Sequence, residues 1–180
     1  MSAWMSTPSV VVDEKRLRTN ISRMQALAAA NKVQLRPHIK THKTAEIAQL
    51  QLEAGACGIT VSKPSEALEF FRAGIPSLRS ILLAYPVIDS RKLKPLVEAS
   101  KQFGIEFLLT VDSSKGIDAV EEAALQYGHP VKLLIHVDVG YHRVGVDKDD
   151  PCTLEMAKRI QQSHVLRFAG ILSHAGMLVI

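Results

Sequence analysis

Short apolar runs alternate with longer stretches of helical periodicity along this chain, and that alternation limits what it can fold into. In the longer stretches, apolar residues recur every three or four positions, as in Leu17, Ile21 and Met24, which predicts amphipathic helices. The short runs are rich in β-branched residues and predict strands at 9–12, 33–40, 58–62, 80–84, 106–111, 131–137 and 168–173. Strands and helices that repeat about every 25 residues indicate βα units around a parallel sheet.

The residues at the expected helix ends support this assignment. Pro64 stands at a first-turn position, where its missing N–H is tolerated. Asp89 and residues 112–114 offer side-chain oxygens that cap the helices after them. Glycines stand where helices are expected to end, at Gly74, Gly104 and Gly128.

A parallel α/β chain forms either an open, doubly wound sheet or a closed barrel. No G-x-G-x-x-G follows the first strand, so the main signal for a dinucleotide-binding sheet is missing. Polar residues stand at the ends of several strands, including Lys40, Ser62, Asp138 and His174. In a barrel these ends converge on the face that carries active sites. The sequence therefore favours a βα barrel.

Composition narrows the choice of partners. The chain has 180 residues, a formal net charge of +4 that is scattered along it, and 5% aromatic residues. This predicts a solvated basic surface, or one that attracts anions such as a phosphorylated small molecule, and argues against nucleic-acid binding. Its two cysteines, Cys57 and Cys152, are too few for a disulfide framework. No apolar run is long enough to span a membrane, and we expect a cytoplasmic protein.

The segment RPHIKTHK, residues 36–43, concentrates positive charge. If it stays extended, Arg36, His38, Lys40 and His42 point to one face, because side chains alternate along a strand. Crowding of cations with partial desolvation lowers a lysine pKa and frees the neutral amine that Schiff-base chemistry needs. A solvated basic loop, or an anion site without chemistry, is the alternative.

Two later segments also carry candidate side chains. In HVDVGYHRVGV, residues 136–146, Arg143 either pairs with Asp138 or holds an anionic or phenolic oxygen; an exposed turn is the alternative. In FAGILSHAGM, residues 168–177, His174 closes an apolar strand. That imidazole either has a structural role, or stacks on an aromatic ring or relays a proton.

Together these motifs resemble a known family. RPHIKTHKT, VDVGYHRVGV and ILSHAG, with the opening TPSVVVDEKRLRTNISRM, are similar to the fold-type III pyridoxal-phosphate enzymes. The resemblance is to the D-serine dehydratase and D-threonine aldolase branch of the alanine racemase N-terminal-domain superfamily. It implies a (βα)8 TIM-type barrel with Lys40 as the Schiff-base lysine, Arg143 near the phenolic oxygen of the cofactor and His174 against its ring. We add His38 to the expected cofactor contacts.

The resemblance also sets expectations for domains. Residues 1–13 would belong to a second, β-rich domain, and residues 14–180 to a partial barrel of about six βα units counted from Val33. The last two strands, their phosphate-binding loops and the C-terminal β-domain are expected to be absent from this chain, which would make it a fragment or a truncated product. The divalent zinc or manganese of the family is expected in that missing domain, so we predict no metal ligand here.

The implied activity is that of a lyase, either a dehydratase or an aldolase, acting on a D-3-hydroxy amino acid. The resemblance also implies a homodimer. An amino-acid racemase and a non-catalytic pyridoxal-phosphate-binding or homeostasis protein are the alternatives. An inert remnant, unable to hold the cofactor, is a third.

Overall fold

In the computed structural model, which describes residues 7–176, each strand pairs with the one before it in the sequence. The strands are β1 (Ile59–Val61), β2 (Ser80–Leu83), β3 (Glu106–Val111), β4 (Val131–Val137) and β5 (Leu166–Ser173). They form one parallel sheet in the order β1-β2-β3-β4-β5. A doubly wound sheet reverses its strand order at a switch point, and this sheet does not. The sheet is an arc of a βα barrel, as predicted.

Helices precede or follow the strands in the predicted alternation. They are α1 (Glu14–Ala30), α2 (Ala45–Glu53), α3 (Pro64–Arg72), α4 (Ser90–Phe103), α5 (Ser114–Tyr127) and α6 (Pro151–Gln162). The predicted end signals are confirmed. Pro64 begins α3, and the side chains of Asp89 and Ser113 accept backbone N–H bonds from the first turns of α4 and α5. Gly104 and Gly128 end those two helices in the left-handed conformation.

The predicted strand at 33–40 is wrong as a regular strand. The segment runs beside β1, where Thr60 donates its N–H to the Pro37 carbonyl at 2.8 Å and Ile39 donates to the Thr60 carbonyl at 2.9 Å. The ladder is reduced to one isolated parallel bridge, His38–Thr60, because Pro37 has no N–H to donate. The segment still holds the place of a strand next to β1, and this position brings His38 and Lys40 to the sheet.

The predicted strand at 9–12 is also wrong for these residues. Residues 9–13 belong to no helix or strand, and Val10 is 95% exposed. Their assignment to a second domain stays a prediction. Residues 1–6 and 177–180 lie outside the described residues.

The apolar core lies between the sheet and the helices. Alternate strand residues, such as Val61, Leu83 and Ile135, are 0–1% exposed and pack with side chains of α2 to α6. Burying one such side chain stabilises the fold by about 1.5–3 kcal/mol. The residues between them face the other side of the sheet, which in a barrel is the interior. This inner face includes Thr60, Leu82, Thr110, Leu134 and His136, all nearly buried.

A line of polar side chains crosses the inner face at the amino ends of the strands. The Arg36 guanidinium donates to Ser80 Oγ at 3.1 Å, and Ser80 Oγ donates to Glu106 Oε2 at 2.9 Å. Lys132 pairs with the other oxygen of Glu106. Burial raises the pKa of Glu106, but the bonds from Lys132 and Ser80 outweigh it and leave that pKa below its usual value. The line ties β2, β3, β4 and the Arg36 segment together.

Candidate functional site

Lys40 stands at the end of the segment that runs beside β1. The side chain of Ile39 is fully buried, and the Lys43 N–H bonds to the Ile39 carbonyl at 2.8 Å, which closes a turn over residues 39–43. The Lys40 N–H donates to His38 Nδ1 at 3.3 Å. The side chain of Lys40 is exposed beyond this anchored backbone, so its amine is open to a ligand.

The predicted crowding of four basic side chains is correct only in part. Arg36 is on the inner face, but its guanidinium is bonded to Ser80. The turn after Ile39 ends the extended geometry, so the two-residue period does not reach His42, whose Nδ1 accepts the Thr44 N–H at 3.2 Å. His38 and Lys40 are left as neighbours.

His38 contacts both the Lys40 backbone and the end of β1. Its Nε2 lies 3.4 Å from Ser62 Oγ, at the end of β1. Burial lowers the pKa of His38 most, and the nearby charges of Lys40 and His174 lower it further. The structure therefore brings two of the predicted residues, Lys40 and His174, each within electrostatic reach of a third, His38.

Asp138 organises the loop that follows β4. Its Oδ1 accepts the N–H groups of Gly140 and His142, both at 3.0 Å, and its Oδ2 lies 2.8 Å from His142 Nδ1. These bonds, led by the one from the His142 backbone, lower the pKa of Asp138. The ion pair between Asp138 and Arg143, one of the predicted alternatives, is wrong, because His142 pairs with Asp138. Arg143 is left free of Asp138 and exposed.

The loop returns to β4 over a glycine. Val146 donates its N–H to the His136 carbonyl at 2.9 Å, and Asp138 donates to the Val146 carbonyl at 2.9 Å. Gly145 has φ +112°, and a Cβ there would lie 2.7 Å from the Asp138 nitrogen. Only glycine combines that dihedral angle with so close a backbone approach.

Tyr141 joins Arg143 to His174. The Arg143 guanidinium carbon lies 5.3 Å from the centroid of the Tyr141 ring, which is within cation–π range. The edge-to-face contact between Tyr141 and His174 spans 5.3 Å. The sequence analysis did not single out Tyr141; its signal was an aromatic residue in a polar loop directly after a strand.

His136 is a second residue that the sequence analysis missed. It lies near the end of β4, is 2% exposed, and its Nδ1 has no hydrogen-bond partner in the structure. It lines one small pocket with Tyr141, Arg143 and His174. Burial is the main reason that its pKa is lowered. Counting back two positions from Asp138 would have placed it on the inner face.

These side chains fit the cofactor that the resemblance implies. Pyridoxal phosphate needs an accessible lysine amine, a cation beside its phenolic oxygen and a flat neighbour for its ring. Lys40, Arg143 and His174 offer these groups, and His136, whose Nδ1 has no partner, lines the pocket that Arg143 and His174 share. The roles themselves stay predictions.

The described residues do not fit a divalent metal. Within residues 7–176, no group of three His, Cys, Asp or Glu side chains could hold a metal ion. No helix in this range is long and apolar enough to cross a bilayer.

The fold and the site define a βα-barrel protein with a basic site at the carboxyl ends of its strands. Residues 12–178 match the family described as alanine racemase, N-terminal domain, and the chain belongs to that family. The resemblance stated from the motifs is thereby confirmed.

The relatives agree with the predicted branch. The chain is 36% identical over 172 residues to D-threo-3-hydroxyaspartate dehydratase of Delftia sp. (strain HT23), covering 96% of this chain and 44% of that protein. It is 37% identical to D-threonine aldolase of an Arthrobacter species, covering 97% and 44%. The crystal structure of D-threonine aldolase from Filomicrobium marinum matches with a TM-score of 0.85 at 31% identity, covering 92% and 43%. The chain thus spans less than half the length of these relatives.

Proposed function

We propose that this chain is the lysine-bearing part of a pyridoxal-phosphate-dependent lyase that acts on D-3-hydroxy amino acids. The convergence of Lys40, His38, His174, His136 and Arg143 at one end of the sheet carries the proposal. The names of the relatives support the substrate class, since they are dehydratases and aldolases of 3-hydroxylated D-amino acids.

When bound, pyridoxal phosphate supplies an electron sink for charge that develops at the substrate Cα. Lys40 would hold the cofactor through its ε-amine. In a dehydratase, the free Lys40 Nζ would take or return the proton at the substrate Cα. In an aldolase, the proton that must be removed is on the β-hydroxyl oxygen.

The other side chains of the site would bind and orient the cofactor. Arg143 would donate to the phenolic oxygen of the cofactor, since its fixed charge suits an anionic acceptor. His174 would pack against the cofactor ring, and His38 lies beside Lys40. His38 and His136 both have lowered pKa values, first because of burial, so both rings stay neutral near pH 7 and add no positive charge to the site.

The proposal also covers the oligomeric state and the cellular location of the protein. The protein acts as a homodimer in the cytoplasm on a small amino-acid substrate. Sedimentation equilibrium of the purified protein tests the dimer, and fractionation of the producing cells tests the location. A single-protomer mass or a membrane-bound protein would contradict these two points.

Absorbance spectroscopy tests the function. Purified protein mixed with pyridoxal phosphate should gain a band that Lys40→Ala abolishes. Lys43→Ala is the matched control, because Lys43 is the second lysine of the same turn and pairs with Glu66 at 3.3 Å. A band that is absent, or that survives Lys40→Ala, would overturn the proposal.

Product analysis separates the alternatives. Glycine and an aldehyde from D-threonine indicate the aldolase, and pyruvate from D-serine indicates the dehydratase. A change of configuration at Cα indicates a racemase, the activity named for a more distant relative, the biosynthetic alanine racemase of Escherichia coli (strain K12), at 31% identity over 144 residues. A Lys40-dependent band with no product indicates a binding protein and contradicts the lyase.

A further inference from the structure

The side chain of His136 carries a buried polar atom that the fold leaves without a partner. The residue is 2% exposed, and its Nδ1 accepts or donates no hydrogen bond. Buried polar side chains elsewhere on the inner face are satisfied. Thr110 Oγ1, for example, donates to the Leu83 carbonyl at 2.7 Å. Because native interiors leave few such atoms unpaired, each one calls for a ligand or another explanation.

The position of this atom distinguishes it from the other unpaired atoms in the described chain. Those belong to Gln25, His42, Gln49 and Gln51, on α1, α2 and the turn before α2. His136 instead lies on the inner face near the carboxyl end of β4, in the pocket shared by Arg143 and His174. Among the residues with an unpaired buried atom, His136 is the one that lines this pocket.

The charges around His136 define what it can bind. Arg143 and His174 act on the ring from the loop and from the end of β5, and Asp112 and Asp138 act on it from the ends of β3 and β4. Burial keeps the ring neutral, so it has one N–H and one acceptor nitrogen. The neutral imidazole of His136 and the guanidinium of Arg143 line the same pocket. Together they suit a small ligand with an oxygen atom that accepts a hydrogen bond from each.

We propose that His136 Nδ1 hydrogen-bonds the phenolic oxygen of pyridoxal phosphate, the same oxygen that Arg143 is proposed to contact. His136 would then be a cofactor-binding residue in addition to Lys40, Arg143 and His174. The inference rests on the proposed function, because it names the same ligand. His136 Nδ1, which has no partner in the protein, would gain its hydrogen bond when the cofactor binds.

Asparagine and glutamine variants test the proposal, because an asparagine amide reaches the place of Nδ1 and a glutamine amide the place of Nε2. The affinity for pyridoxal phosphate is measured by fluorescence titration in a Lys40→Ala background, where no covalent bond masks it. His136→Gln should weaken binding about tenfold, the usual scale of one lost hydrogen bond. His136→Asn should bind within about threefold of the parent. His164→Gln, on an exposed histidine, is the matched control.

A direct readout uses the histidine ring itself. In ¹⁵N-labelled wild-type protein, the Nδ1 resonance of His136 should shift when pyridoxal phosphate is added, and the His164 resonances should not. Equal affinities in the two His136 variants, or an unchanged Nδ1 resonance, would overturn the inference.

The two proposals fail in different ways. If the wild-type protein shows no Lys40-dependent band, the proposed function fails. If the band forms but His136→Gln binds as tightly as the parent, only the role of His136 fails. Circular dichroism of each variant confirms that it is folded, and His136→Asn supplies the comparison if the glutamine variant is not.

Discussion

The ring of Tyr141 stands edge-on to the ring of His174, with centroids 5.3 Å apart and an interplanar angle of 89°. The two residues come from different elements, since Tyr141 belongs to the loop after β4 and His174 follows β5. The Arg143 guanidinium also lies over the Tyr141 ring, 5.3 Å from its centroid. One aromatic ring thus fixes the spacing of two predicted cofactor contacts.

Substitution of Tyr141 should therefore loosen both contacts together. Tyr141→Leu removes the ring and should weaken pyridoxal-phosphate binding about tenfold, because an aromatic pair and a cation–π contact each contribute about 0.5–1.5 kcal/mol. Tyr141→Phe keeps the ring and should behave like the wild type. Fluorescence titration measures both affinities. A phenylalanine variant as weak as the leucine variant would show that the hydroxyl, not the ring, matters.

Gly145 should tolerate no side chain. Gly145→Ala combines a φ of +112° with a Cβ 2.7 Å from the Asp138 nitrogen, so we expect a loss of about 2 kcal/mol or more in the free energy of unfolding. Gly104→Ala is the matched control, because it has φ +63° but open space around the added Cβ, and should cost about 1 kcal/mol. Urea denaturation measures both. Equal losses would contradict the close approach in the loop.

Glu106 should stabilise the sheet from its inner face. Glu106→Ala removes the acceptor shared by Ser80 and Lys132. We expect a loss of about 1 kcal/mol, since these groups are partly exposed and solvent screens them. Glu69→Ala, on the exposed side of α3, should change stability by less than about 0.5 kcal/mol. The melting temperatures report the difference, and indistinguishable values would argue against the polar line.

Stability should fall as the pH drops below about 6.5. Burial lowers the folded-state pKa of His38, His42, His129 and His136 from 6.5, so below pH 6.5 the unfolded chain binds protons that the folded chain refuses. By linkage, this loss begins near pH 6.5 and continues until the pH reaches the folded-state pKa. His136→Asn should flatten the dependence in the cofactor-free protein, as measured by melting temperature from pH 8 to 5. A steeper profile in the variant would contradict this assignment.

The sequence predicted the repeating elements well, because periodicity and helix caps act locally. Pro64, Asp89, Ser113 and Gly104 all serve the ends that the pattern assigned to them. The predicted strand around Pro37 is wrong as a regular strand, because Pro37 has no N–H to donate to the ladder. Composition alone does not reveal where a ladder is interrupted.

The site was predicted less completely. Lys40, Arg143 and His174 stood in recognisable motifs, whereas His136 lay inside an apolar strand and Tyr141 inside a loop. The role of each depends on neighbours from other elements, as in the contact of Tyr141 with His174. A pair between Asp138 and Arg143 was one of the predicted alternatives, but backbone N–H groups and His142 bond Asp138 instead.

The unbroken strand order has a consequence for how the protein is made. Ile59 pairs with Ile81, Leu82 with Leu108 and Ile135 with Ile171, so every strand finds its partner a few dozen residues away. Such short loops close at little entropic cost. Each βα unit can therefore dock onto the unit before it while the ribosome is still synthesising the next.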